Sequence, residues 1–140
     1  AEWLRAKLTD PWMLKVQDRI FLDSSGDYRF IPDLVIYDRT TCQARYVLDT
    51  KYKVAPRPDQ SDIYQVIAYA QMKQCPEAVL IYPAPLAGPL DAWSHDIRVR
   101  SVSFDLGKDL EEAGQHFLSK LGLIEESQLR ADGPKVRGLI

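Results

Sequence analysis

With 140 residues the chain is the size of one domain, and 46% hydrophobic against 27% charged residues is the balance of a folded globular protein rather than a disordered one. The longest nonpolar run, Ala78 to Leu90, is 13 residues and carries Pro83, Pro85 and Pro89, far from the roughly 20 apolar residues of a membrane span, so no membrane is expected. Eighteen Lys and Arg against twenty Asp and Glu leave a net charge of −2, so any contact with nucleic acid has to be local.

In chain order, Trp3, Leu4 and Leu8 share one face at helical spacing and predict a short helix, stopped by Thr9, Asp10 and Pro11. Met13 to Asp23 alternates over short stretches and predicts one strand or two, ending in the turn cluster Ser24 to Asp27. Arg29 to Asp38 and Arg45 to Lys53 are rich in β-branched and aromatic residues and read as an antiparallel hairpin around the polar segment Arg39 to Ala44. Ser61 and Asp62 are good N-cap residues for a helix in which Ile63, Val66, Ile67 and Ala70 recur, ending near Gln74 before Pro76. Ala78 to Tyr82 predicts a buried strand, Ile97 to Phe104 a half-buried one, and Leu106 to Leu121 a last helix closed by Gly122. The expected fold class is therefore α/β, a mixed sheet with the hairpin at its centre and helices on its flanks.

Residues 1–124 are expected to form a single domain and residues 125–140 a loose tail, with Gly and Pro in ADGPKVRGLI. The opening at Ala1 without an initiator Met suggests a domain from a longer protein. Cys42 and Cys75 lack CxxC spacing and cannot staple a framework, which fits a reducing cytoplasm. His95 and His116 have no metal-ligand spacing, so zinc is not expected.

The chemistry gathers in the hairpin, where Asp33, Asp49 and Lys51 interrupt apolar strands. Asp49 and Lys51, two apart, project from one strand face. A turn centred between Thr41 and Cys42 gives cross-strand partners whose numbers sum to about 83, which brings Asp33 opposite this stretch. Two carboxylates suit Mg²⁺, which keeps several waters and uses one or two protein carboxylates plus substrate phosphate. Lys51 beside such an ion can position or deprotonate the attacking water and stabilise charge growing on phosphate. A cross-strand ion pair on a solvated face is the structural alternative. Tyr52 and Tyr64 are expected in the core rather than beside the site.

IPDLVIYD followed by YVLDTKYK resembles the PD-(D/E)XK nuclease signature, with Pro32 and Asp33 as its first element and Asp49, Thr50 and Lys51 as its D-x-K element. DIYQVIAYA adds the Gln-x-x-x-Tyr pattern of RecB-like members as Gln65 and Tyr69. More narrowly, PDLVI, LDTKYK and SDIYQVIAYA look like the nuclease subunits, the McrC family, of modification-dependent McrBC restriction systems, over about residues 17 to 82.

The resemblance implies a restriction-endonuclease-like core and a Mg²⁺-dependent DNA endonuclease, with Mn²⁺ a possible substitute. It implies Asp33, Asp49 and the backbone carbonyl of Thr50 as metal ligands, Lys51 as the catalytic lysine, and Gln65 as a residue orienting the site or the DNA backbone. Gln65 as a plain helix-surface residue is the alternative. Glu2 is the one candidate for the acidic residue that many members place on the first helix. Lys53 and Arg57 could supply local charge for DNA phosphates, or be solvated loop charges, and Tyr69 is read either as a DNA contact or as an inner-face aromatic. The implied partners are DNA, a GTP-hydrolysing AAA+ subunit resembling McrB, and a second copy for double-strand cleavage. No GxxxxGK[ST] loop occurs, so no nucleotide is expected on this chain. A catalytically silent nucleic-acid-binding or assembly module, and a RecB-like nuclease of different biology, remain alternatives.

Overall fold

The structure, a computed structural model, describes residues 1–21, 29–52 and 56–124; the expected turn at Ser24 to Asp27, Lys53 and the tail 125–140 lie outside it. Along the chain run α1 (Glu2–Lys7), β1 (Trp12–Val16), β2 (Ile20–Phe21), β3 (Arg29–Phe30), β4 (Leu34–Asp38), β5 (Gln43–Thr50), α2 (Gln60–Met72), β6 (Glu77–Tyr82), β7 (Asp91–Ser94), β8 (Ile97–Ser103) and α3 (Leu110–Leu121). Six strands form one sheet in the order β1-β4-β5-β6-β8-β7, and β2 pairs with β3 separately. The β1/β4, β4/β5 and β7/β8 pairs are antiparallel, whereas β5, β6 and β8 are parallel. A parallel neighbour requires a crossover, and α2 supplies the one from β5 to β6. The expected mixed α/β sheet flanked by helices is what forms.

Each sheet face carries its own core. Leu14, Leu34, Ile36, Leu48, Val79 and Ile81 pack against Leu4 of α1 and against Phe117, Leu118 and Leu121 of α3. On the other face, Val35, Val47, Ala78, Leu80 and Val99 pack against Val66, Tyr69 and Ala70 of α2. With both faces covered, every residue of β6 is buried, as a near-continuous apolar run predicts. The polar exceptions brace the end of α3: Arg100 pairs with buried Glu77 at 2.7 Å and donates to the Lys120 carbonyl at 2.7 Å, while the Tyr46 hydroxyl donates to the Leu121 carbonyl at 2.6 Å. These donors satisfy carbonyls that a helix terminus leaves without intrahelical partners.

Several boundaries differ from the sequence-based expectation. The Arg29 to Asp38 strand is broken at Pro32, which cannot donate to a ladder, so Asp33 precedes β4 rather than lying inside it. At its other end β5 stops at Thr50, one residue before Lys51. The hairpin partners sum to 81 at Tyr37↔Ala44 and 82 at Leu34↔Leu48, not 83: the turn is centred one residue earlier than expected, between Thr40 and Thr41, and a bulge between Ile36 and Tyr37 takes back part of the offset. Asp59, not Ser61 or Asp62, is the N-cap of α2. The last helix starts four residues late, at Leu110, with Asp109 accepting from the Glu112 amide. Strand β7 was not expected: Asp91, Ala92 and Trp93 are all exposed, so it shows no alternation of apolar and polar faces.

Gly114 seats α1. A Cβ at this α3 position falls 2.1 Å from the Trp3 ring, so the missing side chain is the slot the indole fills. Trp3 then meets Phe104 edge-on at 5.9 Å and donates to Glu111 at 2.9 Å. Glycine inside a helix costs about 1 kcal/mol relative to alanine, so its presence here serves the packing. Gly114→Ala should therefore destabilise by about 1–3 kcal/mol in urea unfolding despite its better helix propensity. In a Trp3→Ala background the same change should become neutral or stabilising.

Candidate active site

The strand pleat sorts the residues at the end of β5. Leu48 turns toward α1 and α3, so Asp49 turns toward α2. There its carboxylate is nearly sealed, the residue being 6% exposed. Lys51, two residues on, returns to the same side and brings Nζ to 2.7 Å from Asp49 Oδ2. The chain is held in register at this point by the Lys51 amide donating to the Ile81 carbonyl at 2.8 Å. Asp33 reaches the cluster from just before β4. Its Oδ2 accepts from the Thr50 amide at 3.0 Å and the Thr50 hydroxyl at 2.7 Å, which fixes the carboxyl against β5. The segment is further tied to β1 by the Gln17 amide donating to the Asp33 carbonyl at 2.8 Å.

Burial pushes the Asp49 carboxyl above the usual carboxylate range; the nearby Asp33 carboxylate pushes the same way, and Lys51 opposes them. Lys51 is also partly desolvated, which favours the neutral amine, but Asp49 and Asp62 outweigh this and hold it above the ordinary lysine range. It is an ammonium at neutral pH, suited to stabilising anionic charge rather than to removing a proton. Asp49 Oδ2 is buried and close to Nζ, yet the contact lacks the direction of a hydrogen bond. A buried carboxylate that its own neighbours leave incompletely compensated is the setting in which a further cation is favoured.

Helix α2 closes the other side of the cluster. Asp62 Oδ1 lies 3.3 Å from Lys51 Nζ. Gln65 and Tyr69 follow at helical spacing on the same face, with Gln65 Nε2 donating to the Tyr69 hydroxyl at 3.0 Å. The Tyr69 hydroxyl is raised by burial and then by the Asp49 charge, so it faces the acids, while its ring meets Phe30 edge-on at 5.9 Å. Tyr69 is thus buried in the core beneath the site. The far end of α2 is fastened as well: Lys73 Nζ lies 2.7 Å from Asp18 and donates to the Tyr37 hydroxyl at 3.0 Å, and that hydroxyl donates to Asp18.

The structure thus brings together Asp33, Asp49, Thr50, Lys51, Gln65 and Tyr69. Glu2 is exposed on α1 and joins no hydrogen bond or ion pair of the cluster among the described residues, although its neighbour Ala1 lines a recess of about 230 Å³ with Gln17, Asp33, Thr50 and Tyr52. Arg57 is exposed beside Gly88, away from these contacts, and Lys53 lies outside the described residues. Tyr52 and Tyr64 are not core residues: they are 87% and 61% exposed. Asp62 is the member that sequence reasoning missed. Its spacing of three and seven residues from Gln65 and Tyr69 carried the signal, but the N-cap reading absorbed it. Among the described residues no group of three or more His, Cys, Asp or Glu is arranged to hold a metal ion.

An α/β domain with helices on both sheet faces and an acid–lysine cluster at the carboxyl end of a parallel strand is the class that fold and site define. The chain belongs to the family of McrBC 5-methylcytosine restriction system components, whose model matches residues 1–83 and so includes every member of the cluster. A similar solved structure is a chain in the half-complex from the tetradecameric assembly of Thermococcus gammatolerans McrB AAA+ hexamers with bound McrC, at a TM-score of 0.65 and 16% identity. The match covers 86% of this chain and 30% of that one. At such identity the likeness is one of fold. No curated protein matches the chain. Among the described residues no helix is long and apolar enough to cross a membrane.

The raised carboxyl of Asp49 has a consequence for stability. A carboxyl that binds its proton more tightly folded than unfolded destabilises the fold above its unfolded value of 3.8, and the penalty fades as pH falls through the raised folded value. Asp49→Asn should accordingly raise the thermal midpoint at pH 7, with the gain shrinking on acidification and gone below about pH 4. Thermal melts of both proteins between pH 3.5 and 8, without added divalent ions, measure it; a gain that persists unchanged in acid contradicts it.

Proposed function

We propose that this domain is a Mg²⁺-dependent DNA endonuclease, the cleaving part of an McrBC-like restriction system. The observation that carries the reading is the meeting of Asp33, Asp49 and Lys51 at the end of β5, with Asp49 buried beyond what its neighbours compensate. The donor set fits the ion: two hard carboxylates, Asp33 and Asp49, with the Thr50 backbone carbonyl, leave room for the waters and phosphate oxygen that Mg²⁺ retains. When bound, the ion supplies Lewis-acid polarisation of the phosphate and a lower pKa for water at the site.

The chain's own residues do the rest. Thr50 orients the Asp33 carboxyl through its amide and hydroxyl. Lys51, held as an ammonium between Asp49 and Asp62, offers positive charge to the phosphate oxygens as negative charge builds on them. Asp62 is a positioning residue, fixing Nζ from the helix side. Gln65, exposed above Tyr69, is placed to hydrogen-bond a DNA phosphate or to steady the cluster. The reaction is hydrolysis: water oxygen bonds to phosphorus, the bridging P–O bond breaks, and the departing oxygen takes up a proton.

Two partners are part of the same proposal. The structural neighbour's assembly contains AAA+ hexamers of McrB; an AAA+ GTPase of this kind is the partner we propose for this chain, which itself contains no phosphate-binding GxxxxGK[ST] loop. A second copy is proposed for double-strand breaks, since one such site cuts one strand.

Nicking of supercoiled plasmid, with and without an McrB-like partner and GTP, tests the reading. Mg²⁺ or Mn²⁺ should support cutting and EDTA should stop it. Asp49→Ala should abolish cutting, and Lys51→Ala should slow it by about 10²- to 10³-fold with DNA binding retained. Unchanged cutting by Asp49→Ala, or a Lys51→Ala defect confined to binding, overturns the assignment.

A further inference from the structure

Tyr52 is the anomaly the proposed chemistry leaves over. It directly follows Lys51, yet 87% of it is exposed, an unusual position for an aromatic ring beside a charged cluster. Among the described residues it makes no hydrogen bond, ring contact or ion pair that would explain where it stands. It lines two adjoining recesses at once. One is a recess in which Gln17, Asp33 and Thr50 stand beside Ala1, Val16 and Leu34. The other is an apolar cavity of about 280 Å³ walled by Trp3, Leu4, Phe104 and Phe117 and lined also by Thr50 and Lys51. Tyr52 is therefore common to the recess at Asp33 and to an aromatic-lined cavity that Lys51 also borders.

We propose that Tyr52 stacks on a nucleobase of the strand being cut, the nucleotide beside the scissile phosphate, with the apolar cavity receiving the face or edge of that base. The inference rests on the nuclease reading and adds a substrate preference to it: a base can reach Tyr52 only when it is unpaired or splayed from its duplex, so this site engages a locally single-stranded segment. The lining supports a nucleotide over an apolar peptide. Lys51, the cation proposed to meet the phosphate, borders the same cavity as the aromatic carbon of Trp3, Phe104 and Phe117, so the phosphate and base of one nucleotide can be met side by side. The cavity lies just below the range of small-molecule sites, about 300–1,000 Å³, and suits one planar group.

The test is binding of fluorescent single-stranded and duplex oligonucleotides in Ca²⁺, read by anisotropy, with 2-aminopurine quenching as the direct stacking signal. Tyr52→Ala should weaken single-strand binding about 5- to 150-fold and remove the quenching, whereas Tyr52→Phe and Tyr52→Trp keep both, because the ring and not the hydroxyl acts. An abasic residue walked along the oligonucleotide should reproduce the loss at one position, where Tyr52→Ala then adds nothing. Fully duplex DNA should be insensitive to the substitution. Tyr52→Ala binding like the parent protein, an equal defect in Tyr52→Phe, or loss of association with a protein partner while single-strand binding persists, overturns the inference. Plasmid nicking by the unsubstituted protein separates the two readings: nicking without any Tyr52 effect removes the base site alone, and a Tyr52-dependent stacking signal without nicking removes the nuclease reading alone.

Discussion

Everything at the site depends on a charged side chain placed where water hardly reaches it. Asp49 sits one residue from the end of β5 with its carboxylate under α2, and the compensation for that burial comes from Lys51 two residues further along the same strand. Removing Lys51 would leave that carboxylate uncompensated, far costlier than the loss of a surface contact, whereas neutralising Asp49 leaves Lys51 its second partner, Asp62. The geometry is set by backbone rather than by side-chain reach: strand pleat puts positions 49 and 51 on one face, and position 50 spends its amide and hydroxyl on holding Asp33. Three consecutive residues thus draw in a second carboxylate from the neighbouring strand's approach.

The two layers around the sheet have different tasks. On one side, α1 and α3 close an apolar core in which the Gly114 slot for Trp3 fixes α1, and with it Ala1 at the recess beside Asp33. On the other side, α2 combines packing with chemistry, burying Val66 and Ala70 while turning Asp62, Gln65 and Tyr69 to the acids. The family match ends at residue 83, soon after β6, so the portion shared with McrBC components is the portion that carries the cluster, while β7, β8 and α3 complete the sheet and its cover.

Much of this was legible in the sequence because strand parity is a strict rule. Asp49 and Lys51 were placed on a common face from their spacing alone, and the apolar run of β6 announced a strand covered on both sides. What escaped had a physical cause in each instance. The hairpin register came out one residue wrong because the turn centres between Thr40 and Thr41, within a polar run whose composition marks no centre, and the bulge beyond it takes back part of the shift. Asp62 was read as a helix cap because Asp is favoured there, and only the fold shows that Asp59 takes that place. Strand β7 went unseen because an exposed edge strand needs no buried face. Tyr52 was assigned to the core because aromatic rings are usually there, and a site at a strand end inverts that expectation.

Helix α2 is gripped ionically at both ends, by Lys51 at Asp62 in its first turn and by the Asp18–Tyr37 pair at Lys73 just past its last. Thirteen residues make a rod about 20 Å long. A rod clamped twice cannot pivot about either clamp, so tilting it requires both contacts to let go together. The reach of Gln65 over the cluster is consequently fixed by two distant fasteners, one of which lies well away from any chemistry.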